Sequence, residues 1–296
     1  MKPVTLYDYK RRVLRVLVHI QEHLDEPLPL DTLAGIACFS PFHFHRVFRG
    51  MVGESVKEHI RRLRLERAAS QLKLGKAPVT QIAFDAGYAS HEAFTRAFAA
   101  WFGSSPSRFR ALRRPQLPEV ACGLHYRRRG ATTSFRALRG GAIMKVEIKK
   151  VEPLRVAFLR HVGPYNEVGT TWDKLLPTLG KEGLLGGDVM FIGISHDDPE
   201  VTPPAKLRYD ACVTVDQGFP GAGEIAVQTI PGGEYAVTTH QGPYNKLGDT
   251  YAALLGQWLP RSGRSLATSP CFELYLNGPD STAPEDLLTD IYAPLH

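Results

Sequence analysis

From Leu6 to Leu24 the apolar residues Val13, Leu17, Ile20 and Leu24 recur at helical spacing, which predicts a helix that stops before Pro27. The chain then repeats itself at an offset of 50. Ser40, Phe44, Arg46, Phe48, Gly53 and Ser55 return as Ser90, Phe94, Arg96, Phe98, Gly103 and Ser105. Upstream, Leu33-Ala34-Gly-Ile36-Ala37 resembles Ile82-Ala83-Phe-Asp-Ala86, one residue out of register. Each copy reads as a short helix, a tight turn and a longer helix, the last opened by a serine cap and carrying a phenylalanine pair at i, i+4 on its inner face. Pro41 suits the first helical position. Between the copies, Ser55-Val-Lys-Glu58 forms a capping box that opens a helix to about Leu74, with Ile60, Leu63 and Ala68 inward and Arg61, Arg62, Arg64 and Arg67 largely outward.

The second half changes period. Arg155–Arg160 and Tyr235–Thr239 read as strands, and each runs into a Gly-Pro turn and an amphipathic helix ending at Leu179 or Leu259. Further strands are predicted around 191–195, 207–215, 272–276 and 290–294. This half repeats at an offset of 79, since His161, Gly163, Pro164, Tyr165, Asn166 and Gly169 return as His240, Gly242, Pro243, Tyr244, Asn245 and Gly248. The expected architecture is multidomain. An all-α double helix-turn-helix domain (1–114) precedes a linker (115–143) with the basic run Arg127-Arg128-Arg129. An α+β domain (144–296) follows, made of two strand-helix-strand-strand repeats about a pseudo-twofold axis, with a cleft at their seam.

Composition separates the halves further. Residues 1–142 hold 24 Lys and Arg against 11 Asp and Glu, whereas 143–296 hold 12 against 19, so the formal +6 of the chain conceals +13 beside −7. Only the first half suits a polyanion. A hydrophobic share of 43% with 22% charged residues excludes disorder. No apolar run approaches the roughly 18 residues of a membrane span, and charges interrupt the first twenty positions, so a cytoplasmic protein without membrane attachment is expected. Cys38, Cys122, Cys212 and Cys271 are too widely spaced for a zinc cluster or a disulfide scaffold and read as reduced packing residues.

The first half resembles the DNA-binding region of AraC/XylS-family transcriptional regulators, through Ser-Pro-Phe-His-Phe-His-Arg-Val-Phe at 40–48 and Ala-Gly-Tyr-Ala-Ser at 86–90. The second half is similar to the GyrI-like effector-binding domain of multidrug-sensing regulators, through the two His-x-Gly-Pro-Tyr-Asn motifs and Cys271-Phe-Glu-Leu-Tyr-Leu-Asn277. The resemblance implies a small-molecule sensor coupled to promoter binding, with activation of RNA polymerase as the usual output. It also implies that Glu273 faces the ligand.

Two such reader helices can enter successive major grooves if they sit about 34 Å apart, and one chain, expected to be a monomer on promoter DNA, can then do the work of a dimer. The candidate contacts are Ser40, His43, His45, Arg46 and Arg49 in the first unit and Ser90, His91, Glu92, Thr95 and Arg96 in the second. Arg46 and Arg96 are the strongest base readers, because a guanidinium matches the two acceptors of guanine; the alternative is contact with phosphate alone. His43 and His45 read as groove contacts or as half-exposed caps. Glu92 either accepts from cytosine or sits away from DNA. Phe42, Phe44, Phe48, Phe94, Phe98, Trp101 and Phe102 read as core.

In the second half, Tyr165, Trp172, Tyr209, Tyr244, Tyr251, Glu273 and Tyr275 are the candidate ligand contacts, a set that suits a flat or cationic molecule. Glu273 falls opposite Gly193 when the repeats are aligned, so the duplication carries this acid once. Alternation sets Glu273, Cys271 and Tyr275 on one strand face and Phe272 and Leu274 on the other; with the latter pair towards the helices, Glu273 faces the cleft. His161 and His240 read as supports of the Gly-Pro turns. Gly218–Gly223 reads as a connector, and His196-Asp197-Asp198 as a turn. No metal, cofactor or catalytic residue is assigned. The rival readings make Glu273 the general acid/base of a hydrolase of reactive small molecules, or make the acidic half a surface that sequesters another macromolecule.

Overall fold

The structure is a computed structural model and describes residues 5–113, 115–128, 132–138, 144–197, 199 and 202–296. The chain forms two compact units, one of residues 7–139 and one of residues 140–296 together with 1–6. The first is helical: α1 (Leu6–Glu22), α2 (Leu30–Ala37), α3 (Pro41–Val52), α4 (Val56–Leu74), α5 (Val79–Asp85), α6 (His91–Phe102) and α7 (Pro106–Ala111). The 50-residue repeat becomes the pairs α2-α3 and α5-α6. Both α3 and α6 have 12 residues, and each stops at a glycine in the left-handed region, Gly53 (φ 90°) and Gly103 (φ 68°), where a side chain would be strained. Phe44, Phe48, Phe94 and Phe98 are fully buried. Trp101 and Phe102 are half-buried against the second of these cores, and the Phe42 side chain lies outside the described residues.

Capping follows expectation at two of three sites. Ser55 and Glu58 form the reciprocal box, with Ser55 N–H donating to Glu58 Oε2 at 2.8 Å and Glu58 N–H to Ser55 Oγ at 3.2 Å. Ser90 Oγ accepts from Ala93 N–H at 3.2 Å. Ser40 stands at the N-cap of α3, but its hydroxyl pairs with His43 Nδ1 at 3.0 Å instead of a backbone N–H, because the imidazole three residues on competes for it.

The outward reading of the α4 arginines is corrected. Arg61 is exposed and Arg64 half-buried, but Arg62 and Arg67 are 3% and 9% exposed. Arg62 is drawn in by acids: Nε donates to Glu54 Oε2 at 3.0 Å and Nη1 to Glu66 Oε1 at 2.9 Å. Its Nη1 also reaches Leu124 O at 2.9 Å, and Glu66 Oε2 accepts from Tyr126 N–H at 2.7 Å. The segment read as a linker thus lies along α4. Arg136 N–H donates to Cys122 O and Leu138 N–H to Met51 O, which ties the segment back on itself and onto the end of α3. Arg127 and Arg128 are exposed, while Arg129 falls outside the described residues.

The second unit is one curled antiparallel sheet of eight strands among the described residues: β1 (Glu147–Val151), β2 (Leu154–Val162), β3 (Phe191–Ser195), β4 (Arg208–Thr214), β5 (Ala226–Ile230), β6 (Gly233–Gln241), β7 (Phe272–Tyr275) and β8 (Leu288–Pro294). The order is β1-β6-β8-β7-β3-β4-β2-β5. Each repeat therefore has a leading strand that the sequence pattern did not isolate, and the two are exchanged: β1 pairs with β6 of the second repeat, and β5 with β2 of the first. Short charged edges such as Glu147-Ile-Lys-Lys-Val151 carry little alternation to find. The seam is β3 against β7, where Gly193 pairs with Glu273.

Helix α8 (Gly169–Lys181) covers the first repeat. In the second, α9 (Leu247–Ala253) widens through a π turn (Leu254–Trp258) into α10 (Leu259–Ser262). Pro260, which has no N–H to give and crowds the carbonyl four residues back, accounts for the widening. One sheet face packs on α8 through Ala157, Leu175, Leu179, Tyr209, Ala211 and Val213. The other curls around Val156, Ile192, Cys212, Tyr235, Phe272 and Tyr292. Cys122, Cys212 and Cys271 are buried as expected, but Cys38 is exposed, at the left-handed C-cap of α2. No helix among the described residues is long and apolar enough to cross a membrane.

Candidate functional site

The two reader helices present different surfaces. On α6, Glu92 and Arg96 are exposed, and Ser90, His91 and Thr95 are half-buried, with the Thr95 hydroxyl enclosed. On α3, Ser40 is exposed and His45 and Arg49 are half-buried, but His43 and Arg46 are 5% and 9% exposed. The outward reading of His43 and Arg46 is corrected: with Phe44, Val47, Phe48 and Met51 already buried, the row His43, Arg46, Gly50 lies beside the core stripe and is covered too. Burial, and then the neighbouring Arg46, lower the His43 imidazole to about 4 and hold His45 well below its usual value. Both are neutral at pH 7 and bring no charge to a phosphate. Glu92 is held below the usual carboxylate range by hydrogen bonds from its own backbone N–H and from Ser90, an acid in the first turn of α6. That engagement steadies the helix end.

The chemistry of the second unit converges on the β3–β7 seam. Glu273 is 4% exposed. Its Oε1 accepts from Tyr251 OH of α9 at 3.1 Å and from Ser195 Oγ of β3 at 3.4 Å, and its Oε2 accepts from Tyr275 OH at 2.8 Å. Tyr275 OH lies 2.9 Å from Tyr209 OH, and Trp172 Nε1–H of α8 donates to Tyr209 at 3.3 Å. The rings pack edge to face, Tyr244 on Tyr275 at 5.3 Å, Trp172 on Tyr275 at 6.0 Å and Tyr165 on Tyr209 at 6.3 Å. Of the other six sequence-selected residues, Trp172, Tyr209, Tyr244, Tyr251 and Tyr275 are thus gathered around the Glu273 carboxylate, while Tyr165 packs on Tyr209 and turns its hydroxyl to Asp197 O at 2.8 Å and Arg208 O at 3.0 Å. Burial first, and then the Glu273 charge, push the Tyr209, Tyr244 and Tyr275 hydroxyls above their usual range, so all three keep their protons.

The facing of Glu273 is corrected in one respect. Phe272 belongs to the core on the face away from α8, with Leu274 packed against it, so Glu273 points to the helix-bearing face, where Tyr251 meets it and Trp172 packs on Tyr275. Alternation gave the pairing of faces; which one the helices cover is a tertiary outcome. Sequence reasoning missed Ser195 and found Gly193 only as the aligned counterpart of Glu273. A Cβ at Gly193 would press on the hydroxyls of Tyr209 and Tyr275, with Tyr209 Cε2 at 3.0 Å. The missing signal was the pairing itself, since the aligned Gly193 and Glu273 turn out to be cross-strand neighbours.

The remaining motifs are structural. His161 Nδ1 pairs with Thr171 Oγ1 at 3.1 Å and Nε2 with Pro164 O at 3.1 Å; His240 repeats this with Thr250 at 2.7 Å and Pro243 at 3.4 Å. His196 bonds Asp210 and Asp197 pairs with Arg208, while Asp198 lies outside the described residues. Glu54, His59 and Cys122 bring ligand-type atoms within 4.8 Å of one another, but the Arg62 guanidinium, 3.0 Å from His59 Nδ1, already supplies the positive charge there. An open groove of about 510 Å³ beside β1 and β6, lined by Lys145, Lys149 and Lys246 among others, lies apart from Glu273.

Comparison with known proteins divides the chain in the same way. The GyrI-like small molecule binding domain matches residues 144–296, and a helix-turn-helix domain matches residues 33–112. The Right origin-binding protein of Escherichia coli (strain K12) is 36% identical over 95 residues, 32% of this chain and 33% of that protein. The match thus spans about a third of that relative's length. The regulatory protein SoxS of Salmonella typhimurium (strain LT2) is 35% identical over 101 residues, 34% of this chain and 94% of that protein. Among solved structures, the EcmrR C-terminal domain is similar with a TM-score of 0.43 at 23% identity, over 52% of this chain and 98% of that one. The chain belongs to the GyrI-like family, and it carries an AraC-type helix-turn-helix domain ahead of that domain.

Proposed function

We propose that this protein is a transcription regulator that binds promoter DNA through α3 and α6 and changes its output when an aromatic organic cation binds at Glu273. One observation carries the reading: a buried carboxylate on a pseudo-twofold seam, ringed by Trp172, Tyr209, Tyr244, Tyr251 and Tyr275. Such a site offers Coulomb attraction in a low dielectric together with ring faces. The DNA half is supported by the +13 balance of residues 1–142 and by kinship with a regulatory protein and an origin-binding protein. RNA polymerase is the proposed partner of the DNA-bound monomer.

Titration of the full chain with tetraphenylphosphonium, followed by tryptophan fluorescence, tests the site at Glu273. Saturable binding that Glu273→Gln weakens about tenfold or more is expected, since the isostere removes only the charge. Conversion of an added small molecule to product would instead make the domain an enzyme.

Arg96 tests the reader. Its exposed guanidinium is the stronger of the two proposed base contacts, so Arg96→Ala should cost about 1–3 kcal/mol on a site selected from genomic fragments and relax one base position. Arg46→Ala should cost less, because that side chain is buried. Mobility shifts across salt concentrations provide the measurement. Equal loss of binding to every sequence on Arg96→Ala would reduce the residue to a phosphate contact.

A further inference from the structure

We infer that the groove beside β1 and β6 binds a small guanidinium compound on the Asp290 carboxylate, in the place that the Arg160 side chain fills in the sister repeat. This carboxylate lies on the sheet face opposite Glu273, so the inference stands apart from the receptor reading above.

The repeats carry an aspartate in matching places, Asp210 on β4 and Asp290 on β8. Across the strand pair from Asp210 stands Arg160, and across from Asp290 stands Thr239. Tyr209 and Ala211 pack on α8, and Ile291 pairs with Glu273, so alternation turns both aspartates to the other face. Both are buried, at 0% and 8% exposure, but they are not equally satisfied. Asp210 accepts from Arg160 Nε on Oδ1 at 2.7 Å and from Nη2 on Oδ2 at 2.8 Å, and His196 Nε2 and Gln228 Nε2 reach Oδ2 at 2.8 and 3.2 Å. Four such bonds fill the capacity of a carboxylate. In the second repeat Leu276 stands for His196 and Lys149 for Gln228. There Asp290 Oδ1 accepts from Thr239 Oγ1 at 2.6 Å, and Oδ2 has only Lys149 Nζ, at 3.8 Å, among the described residues.

The space matches the missing bonds. Arg160 lies over the Phe158 ring at 5.7 Å, on the side where Gln228 and Ala226 of β5 pair with β2. The counterparts of these four residues are Thr239, Val237, Lys149 and Glu147, and all four line the groove of about 510 Å³, a volume in the range of small-molecule sites. Shortening arginine to threonine thus leaves a guanidinium-sized place beside a buried carboxylate. Lys149 yields it readily: its side chain is 41% exposed, its pair with Asp290 is long, and its ammonium already lies 5.9 Å from the Tyr292 ring centre. A guanidinium brings two parallel N–H bonds, one for the open Oδ2 and one for the lone pair that Oδ1 keeps beside Thr239; an ammonium has no such fork.

Ligand-observed NMR titration of the full chain compares propylguanidinium with propylammonium, equal in charge and alkyl length. The wild type should bind the guanidinium about tenfold or more tightly. Asp290→Asn, which keeps the shape and removes the charge, should weaken that binding about tenfold or more. Thr239→Arg rebuilds the first repeat's pair inside the second. It should abolish propylguanidinium binding while leaving the thermal midpoint at or above that of the wild type, and Asp290→Asn keeps the test decisive if this variant misfolds. Equal affinity for the two cations, binding of neither, or guanidinium binding that Glu273→Gln removes and Asp290→Asn spares overturns the inference and leaves the reading at Glu273 standing. Tighter binding of glycyl-arginyl-glycine amide than of propylguanidinium would assign the group to a partner protein's arginine and overturn the small-molecule source.

Discussion

Replacing Arg62 by alanine should lower the stability of the helical unit by about 3–5 kcal/mol, the range seen when one partner of a buried ion pair is removed. For a unit of this size that corresponds to a fall of roughly 10–20 °C in thermal midpoint. The size of the effect follows from what is left behind. Glu66 is buried beside the empty space, Glu54 loses its fork, and the Leu124 carbonyl loses its donor. Burial raises the Glu54 carboxyl, but hydrogen bonds from His59 and Arg62, with their charge, override it and hold the group at about 2, against an ordinary 4.5. A depressed acid contributes stability that is present above its unfolded value and lost as pH falls through its folded one. The wild type should therefore weaken between about pH 4.5 and 2, and this arm should flatten in the variant. Lys57→Ala, exposed on the same helix, should change stability by less than about 0.5 kcal/mol. Thermal and acid melts followed by circular dichroism provide the measurement; an Arg62 variant as stable as the Lys57 control would show that the ion network is not a fastener.

Gly193→Ala should cost the sheet unit about 1–3 kcal/mol from overpacking and collapse its cation binding. The glycine is not needed for backbone conformation, since Gly193 is absent from the positive-φ residues, so the whole effect is steric. The new Cβ would drive the Tyr209 and Tyr275 hydroxyls off the chain that ends at Glu273. Adding Tyr275→Phe to the alanine variant removes one clashing oxygen and should recover part of the stability, a coupling that chemical denaturation of the four-member cycle resolves. Strict additivity would mean that the two positions do not share the space.

The duplications were legible because identities at fixed offsets survive whatever the tertiary structure does with them. Ser55-x-x-Glu58 was legible for the opposite reason: a capping box is complete within four residues. What escaped depends on partners far away in sequence. Arg62 looked like one more solvated charge on α4 until Glu54 and the 120s segment closed over it. His43 and Arg46 fit an outward stripe by spacing, yet the buried arc of α3 is wider than its phenylalanines reveal. At the seam, residue types found the aromatic set and the lone acid and the repeat alignment found Gly193 opposite it, while Ser195 carries no signal of its own and became visible only in the structure.

The exchanged strands β1 and β5 have a consequence for how such a domain came to exist. Each repeat keeps its other three strands together but completes its edge with the opening strand of its sister, so neither can close its sheet in isolation. That is the geometry of two identical subunits clasping arms, here written into one polypeptide. Fusion of the subunits frees each half to drift on its own, and a single acid facing a glycine across the old twofold is the kind of inequality that no homodimer could have acquired.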